Sequence, residues 1–319
     1  MLALATDYNG ESRNTEKIRR TLSSIAGAGF SHIHWCHEWR GGYLYSVWEM
    51  RQIREWLDIL GLRVKGVHAS CGEIRFQYAA TRDFEEEREN LKDYVSQNEY
   101  NRLAGVELIK NRIDLARELE TGEIVLHLPL PFRIFENDVS FKEKFYTAAF
   151  RSFDELKCYC LEKQVRICVE NLYDCPENFQ KEMFDRLFAR YESNYMGICF
   201  DTGHGNIGSH DCLHFARCYT ERLFIAHIHD NHGTGDEHLI PFEGSFNWEG
   251  FAEIVAKSPC ESPCLLELNM HGKTEKVFFR KALDAGRKLQ AMAERAGRLI
   301  FAGFNADCDI TAATLSSSS

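Results

Sequence analysis

The sequence predicts an α/β fold, a single (β/α)8 barrel of the TIM type with an insertion after its third strand. Three observations predict it. Eight short apolar runs alternate with longer stretches of helical period, no break in composition divides the chain into halves, and no Gly-x-Gly-x-x-Gly follows the first run. The last point weakens the rival doubly wound sheet, since the first run here leads into Asp7-Tyr8-Asn9-Gly10. A barrel of about 250 residues buries a complete core, so 319 residues fit one such unit.

The expected strands are 2–6, 32–37, 64–69, 123–128, 166–171, 196–201, 223–230 and 264–269. They are rich in Val, Ile, Leu and Phe without strict polar alternation, which suits strands buried on both faces of a parallel sheet. Between them, 14–28 carries Ile18, Leu22 and Ile25 at helical spacing, and 47–60 carries Met50, Ile53, Trp56, Leu57 and Leu60 before a terminating Gly61. Later helices are expected over 141–163, 178–191, 248–257 and 274–295. His68 and His127 stand 59 residues apart, about twice a plain βα repeat of roughly 30. This gap locates the insertion, and its highly charged stretch 81–100 reads as a solvated extra helix or as part of a lid over the barrel mouth. The barrel is assigned to 1–297, and 298–319, ending in Leu315-Ser-Ser-Ser-Ser, reads as a frayed tail.

Composition excludes several classes. With 44% hydrophobic and 27% charged residues the chain is globular, and a formal charge of −10 disfavours a nucleic-acid partner. There is no apolar run of membrane-spanning length and no signal-peptide pattern in Met1–Asn9. A cytoplasmic protein with reduced thiols is therefore expected from the twelve scattered cysteines, with metal clips at Cys158/Cys160 and Cys260/Cys264 a minor alternative.

In a barrel the strand C-termini converge on one mouth. Here strand three ends at His68, strand four at His127, strand five at Glu170 and strand six at Asp201 with His204 after it. Strand seven offers His227 and His229, and strand eight Glu267. Any one of these has an ordinary structural explanation. Six successive strands ending in His, Asp or Glu do not, because such groups facing one space require a cation to offset repulsion and desolvation. A mixed carboxylate and imidazole set suits one divalent ion, Mn, Mg or Zn. Glu170, Asp201, His227 and Glu267, on four consecutive strands, are the expected ligands. His229 lies two residues above His227 on the same side, oriented by Asp230 or lining the pocket. The Gly-rich loop 231–244 is expected to be mobile and to bring Asp236 and His238 to the mouth.

Val-Glu-Asn on strand five, Phe-Asp-Thr-Gly-His on strand six, His-Ile-His-Asp-Asn on strand seven, Asp-x-His-Leu-x-Pro-x-Glu-Gly after it and Leu-Glu-Leu on strand eight resemble the xylose isomerase-like barrel superfamily. That group includes sugar and sugar-phosphate isomerases and epimerases, inosose-processing enzymes and endonuclease IV-type DNA repair enzymes. The resemblance implies one divalent metal on Glu170, Asp201, His227 and Glu267, the two glutamates also serving as paired acid and base, and substrate contact by His204. His68, His127 and His238 are further candidates for proton shuttling or hydroxyl binding. In the endonuclease branch the positions of His68, His127, Asp236 and His238 hold additional zinc, giving three ions and abasic DNA as substrate. Against that branch stand Asn171-Leu-Tyr-Asp-Cys-Pro and Ala69-Ser-Cys-Gly, which differ from its turns, and the acidic balance. The aromatic run from His34 to Trp39 suits stacking on a sugar ring. The expectation is a metal-dependent sugar isomerase or epimerase acting through an enediolate on a small carbohydrate, with a lyase, a dehydratase or C-glycoside cleavage as neighbouring chemistries. A non-catalytic sugar-binding barrel is the remaining alternative, and a homo-oligomer is compatible with it all.

Overall fold

The computed structural model describes residues 1–72, 91–262 and 264–315, with the side chains of the final helix described as far as Arg298. Eight strands, β1 (Ala3–Ala5), β2 (His32–Trp35), β3 (Arg63–His68), β4 (Glu123–Leu126), β5 (Arg166–Glu170), β6 (Met196–Asp201), β7 (Leu223–His227) and β8 (Leu265–Leu266), pair in parallel in sequence order. β1 pairs with β8, and a parallel bridge from Ile228 to Leu266 closes the ring. The expected (β/α)8 barrel is the observed one.

The helices are α1 (Thr15–Ala28), α2 (Val47–Leu60), α3 (Glu99–Glu118), α4 (Phe132–Phe135), α5 (Val139–Lys163), α6 (Glu177–Arg190), α7 (Thr202–Asn206), α8 (His214–Cys218), α9 (Trp248–Val255) and α10 (Glu275–Leu315). Local chemistry fixes their ends. The side chains of Asn14 and Ser46 accept N–H bonds at the starts of α1 and α2, and Gly29 and Gly61 end them in the left-handed region that glycine tolerates. The backbone of α10 runs on through most of 298–319. Among the described residues no helix is long and apolar enough to cross a membrane.

Strand period explains how this frame makes a site. On the barrel interior, Ala3, Val125, Cys168, Cys199, Ile225 and Leu265 form one small apolar layer. Two residues further along each of the last five strands, on the same face, stand His127, Glu170, Asp201, His227 and Glu267. The intervening residues, among them Leu126, Val169, Phe200 and Leu266, point outward into the larger core shared with the helices. Both faces are thus buried, which accounts for the missing polar alternation. Gly66 belongs to this design, since a Cβ there would sit 2.8 Å from Ile225 Cδ1 and 3.1 Å from His34 Nδ1.

The insertion differs from expectation. Within 81–100, residues 81–90 lie outside the described part of the chain, as do 73–80. From Leu91 to Ser96 the chain is irregular and mostly buried rather than a solvated helix, and helix begins only at Glu99. The Tyr94 hydroxyl donates to the His127 carbonyl, so this segment packs against the end of β4. The long α3 was not separately anticipated. Its buried Arg112 donates to the carbonyls of Glu38 and Tyr43, 2.9 Å each, and lies 4.8 Å over the Tyr45 ring. That clamp fixes the β2–α2 loop, which carries Trp39 to the mouth. The cysteines are free thiols wherever described. Cys260 and Cys264 each donate to a backbone carbonyl, of Ser262 and Gly286.

Candidate active site

All ten expected site residues meet at the C-terminal mouth. Two of them, Glu170 and Asp201, are held by reciprocal bonds between the strand ends: Asn171 Nδ2 donates to the Asp201 carbonyl at 3.0 Å and Asp201 N–H to Asn171 Oδ1 at 2.8 Å. His227 Nδ1 lies 2.9 Å from Glu267 Oε2, 3.3 Å from Glu170 Oε1 and 3.8 Å from Asp201 Oδ2, and it makes no hydrogen bond. Four donors around a point at metal–ligand lengths of about 2.1 Å would stand roughly 3.0–3.4 Å apart, so this buried, unbonded nitrogen among three carboxylates is compatible with a divalent ion.

Two further groups flank it. His127 Nε2 is 3.0 Å and His68 Nε2 3.7 Å from Glu170 Oε2. On the other side His229 Nε2 meets the Asp201 carboxylate at 3.0 Å, and Asp236 Oδ2 lies 3.1 Å from His238 Nε2 and 3.6 Å from His204 Nε2. Both groups have donor atoms close enough to share an ion. His68, His204 and His238 each direct Nδ1 at a backbone carbonyl, of Ala69, Asn171 and Glu267 at 3.2, 2.8 and 2.9 Å. A carbonyl only accepts, so Nδ1 carries the proton and Nε2 faces the cavity, the orientation in which a histidine serves as ligand or hydrogen-bonding base.

The charges answer one another. Burial raises the Glu170 carboxyl, but the charges of His227 and His127 and bonds from His127 and His204 outweigh it and hold it well below the usual carboxylate range. The same competition lowers Glu267 through His227. Burial lowers His227, yet Cys199, Glu267 and Glu170 raise it well above an ordinary histidine, and His238 rises to about 10 against burial through Asp236 and Glu267. Without a cation, protons on these imidazoles balance the carboxylates. At His68 burial and the neighbouring His127 and His227 outweigh Glu170 and Glu267 and lower the imidazole to about 4.

Several details depart from the sequence reading. Asp230 does not orient His229. Its Oδ1 accepts from the N–H groups of Asn231 and Phe246, and its Oδ2 from the Phe242 N–H and the Trp248 indole. These four bonds anchor the loop expected to be mobile. Gly244 permits the arrangement, because a Cβ there would stand 2.4 Å from Asp230 Oδ1. His229 is placed instead by Asp201 and by stacking on His238, ring centres 4.1 Å apart. Of the aromatic run in β2 and its loop, Trp39 reaches the cavity, 4.8 Å from the His68 ring, with Arg40 4.4 Å above it. Trp35 is core, its indole donating to Tyr45.

Two residues were missed. His34, fully buried, places Nε2 3.1 Å from His227 Nε2, a pairing of positions 193 residues apart that no local signal announces. Asp7, just past β1, is pushed up to about 7 by burial and by Glu267, and its place at a strand end could have marked it. The ionisable groups enclose a cavity of about 150 Å³ lined by Trp39, His68, His127, Glu170, His204 and Glu267 among others.

Residues 22–294 match the family described as xylose isomerase-like TIM barrel, and the chain belongs to that family. An uncharacterized protein of Sinorhizobium fredii, y4fM, is 33% identical over 290 residues, covering 88% of this chain and 91% of that one. Among solved structures, a D-tagatose 3-epimerase-like protein superposes with a TM-score of 0.65 at 20% identity, over 94% of this chain and 99% of its own. An L-ribulose 3-epimerase superposes with a TM-score of 0.66 at 14% identity, over 94% and 96%. At these identities the superpositions establish a shared fold.

Proposed function

We propose that the chain is a divalent-metal-dependent isomerase or epimerase of a sugar or sugar derivative, moving a proton on carbon next to a carbonyl. The observation that carries the reading is the placement of Glu170 and Glu267 on one small cavity with the unbonded His227 Nδ1 between them, 3.3 and 2.9 Å away. The activities named for the two superposed structures, both 3-epimerase in kind, support it.

Glu170, Asp201, His227 and Glu267 would hold the ion, whose Lewis acidity serves a carbonyl and its neighbouring hydroxyl. The chain's own residues do the rest. One of Glu170 and Glu267 takes the carbon-bound proton and the other returns one. Return to the opposite face of the same carbon gives epimerisation, and return to the adjacent carbon gives isomerisation. His127, bonded to Glu170, tunes that carboxylate, while His68 and His204 present their Nε2 atoms to substrate hydroxyls. Trp39 offers a ring face. Loss of a β-substituent from the same deprotonated intermediate would give the lyase or dehydratase variants.

The test is solvent deuterium incorporation into candidate ketoses, followed by proton NMR with the metal-loaded protein. Glu267→Gln should lower the rate by roughly 10²–10⁴, the usual contribution of a positioned acid or base, with circular dichroism unchanged. Retention of full exchange by Glu267→Gln contradicts the reading. The outer donor groups, His68/His127/Glu170 and His229/Asp236/His238, favour a second reading, a trinuclear zinc endonuclease acting on abasic DNA. Three zinc ions per chain with cleavage of an abasic duplex would select it.

A further inference from the structure

The cavity that holds Glu170 and Glu267 adjoins another. A second cavity of about 370 Å³ lies on the outer side of the β5 and β6 loops, and Leu172, Tyr173, Asp174 and His204 line both. The inner one, about 150 Å³, is well short of the roughly 300 Å³ at which ordinary ligand pockets begin. A substrate that fills the pair must extend beyond one small ring.

The outer cavity is built for a particular chemistry. Phe132 and Phe215 form apolar walls, and the Tyr173 ring at the junction is 50% exposed, 5.1 Å from the His204 ring and tilted 47° to it. Such rings give rigid contact area at small entropic cost, suited to the carbon face of a sugar. Asp174 supplies a carboxylate, Glu177 lies 3.5 Å from His214 Nε2 and Asp211 is paired with Arg217 at 2.7 Å, and among the described residues no lysine or arginine lines this cavity. Carboxylates accept hydrogen bonds from hydroxyls, while the wall lacks the lysine or the arginine fork that recognises a phosphate or a carboxylate.

Resting on the isomerase or epimerase reading, we infer that the substrate is a keto sugar linked to a second, uncharged sugar residue. The keto unit occupies the inner cavity, and the second residue sits in the outer one against Tyr173, Phe132 and Phe215. His204 and Asp174 lie between the two and contact the linkage region.

The experiment compares the 2-ketohexoses as free sugars, as their 6-O-glucosides and as their 6-phosphates, which differ only in what the C6 oxygen carries. Deuterium exchange next to the carbonyl is measured on the metal-loaded protein and on Ser209→Trp and Phe132→Ala, which respectively fill the outer cavity and remove one of its faces. The wild type should prefer a glucoside over its free ketose by at least about tenfold in kcat/KM, the lower end for one well-fitted apolar contact. Either folded variant should cut that preference by a similar factor. A free ketose or a phosphate used as well as the glucoside, or a preference that survives in both variants, overturns the inference and leaves the proposed chemistry standing. Exchange with none of these sugars by a metal-loaded protein overturns both.

Discussion

Replacing Asp230 should unfold more of this barrel than replacing any single acid of the mouth. The residue is fully buried, and its two oxygens divide four donors evenly: Oδ1 takes Asn231 N–H and Phe246 N–H at 2.9 and 3.1 Å, Oδ2 takes Phe242 N–H and Trp248 Nε1–H at 2.9 and 3.0 Å. In Asp230→Asn, whichever way the amide turns, its NH2 faces two N–H groups that had an acceptor. Each orphaned buried donor costs about 1–3 kcal/mol, and the two remaining bonds weaken because the acceptor is no longer charged. The expected loss is about 3–5 kcal/mol. At an unfolding entropy of about 2.1 cal/mol/K per residue over 319 residues, 4 kcal/mol lowers Tm by about 6 °C. Differential scanning calorimetry of the chelator-treated wild type and variant measures it without contribution from bound metal. Ligand affinity should fall too, because the anchored loop carries Asp236 and His238. A shift under about 1 °C in Asp230→Asn would refute the argument that this carboxylate holds the loop.

Other expectations follow from the same geometry. Gly203→Ala would put a Cβ 1.9 Å from the Cε1 of His229, so it should cost several kcal/mol, about 2–4 by analogy with other overpacked sites, and displace His229; unchanged urea unfolding would contradict this. In the metal-free protein His68 is lowered to about 4, so between pH 4 and the unfolded value near 6.5 the unfolded chain binds more protons, and stability rises with pH across that window. His238, raised to about 10, binds more protons when folded, so its contribution is present below pH 6.5 and is lost as pH rises through 10. His68→Gln should therefore flatten the acid limb of Tm against pH and His238→Gln the alkaline limb, and the reverse assignment would show the imidazoles misread. Filling the space at Gly66 with Ala should press on His34 and Ile225 and weaken metal binding through His227, read by competition with a chromogenic chelator; unaltered affinity with a native melting temperature would show that His34 does not position His227.

Much of the barrel and its mouth was legible because strand geometry writes them in a period of two. Val125 and His127, Cys168 and Glu170, Cys199 and Asp201, Ile225 and His227, Leu265 and Glu267 are each an apolar interior residue followed by an ionisable one on the same face. What escaped depends on contacts that leave no periodic trace. Asp230 sits beside two histidines and reads as their partner, yet its donors come from a loop and helix up to eighteen residues on. His34 is hidden inside an aromatic run that seemed made for stacking, and only barrel closure brings it to His227. β8 is shorter than its apolar run because residues beyond Glu267 bond to loops rather than to the barrel: Asn269 N–H donates to the His238 carbonyl and Met270 N–H to that of Tyr8. Those bonds hold the loops that build the mouth.

The most direct test of the central claim is an anomalous diffraction experiment on crystals of the protein purified without chelator, with metal content measured on the same sample. The account predicts a divalent ion bounded by Glu170, Asp201, His227 and Glu267, with His227 contributing Nδ1. Full-length protein with no ion at that position after incubation with Mn, Mg and Zn, or with the ion bound elsewhere and these four side chains hydrogen-bonded only to one another, would contradict it.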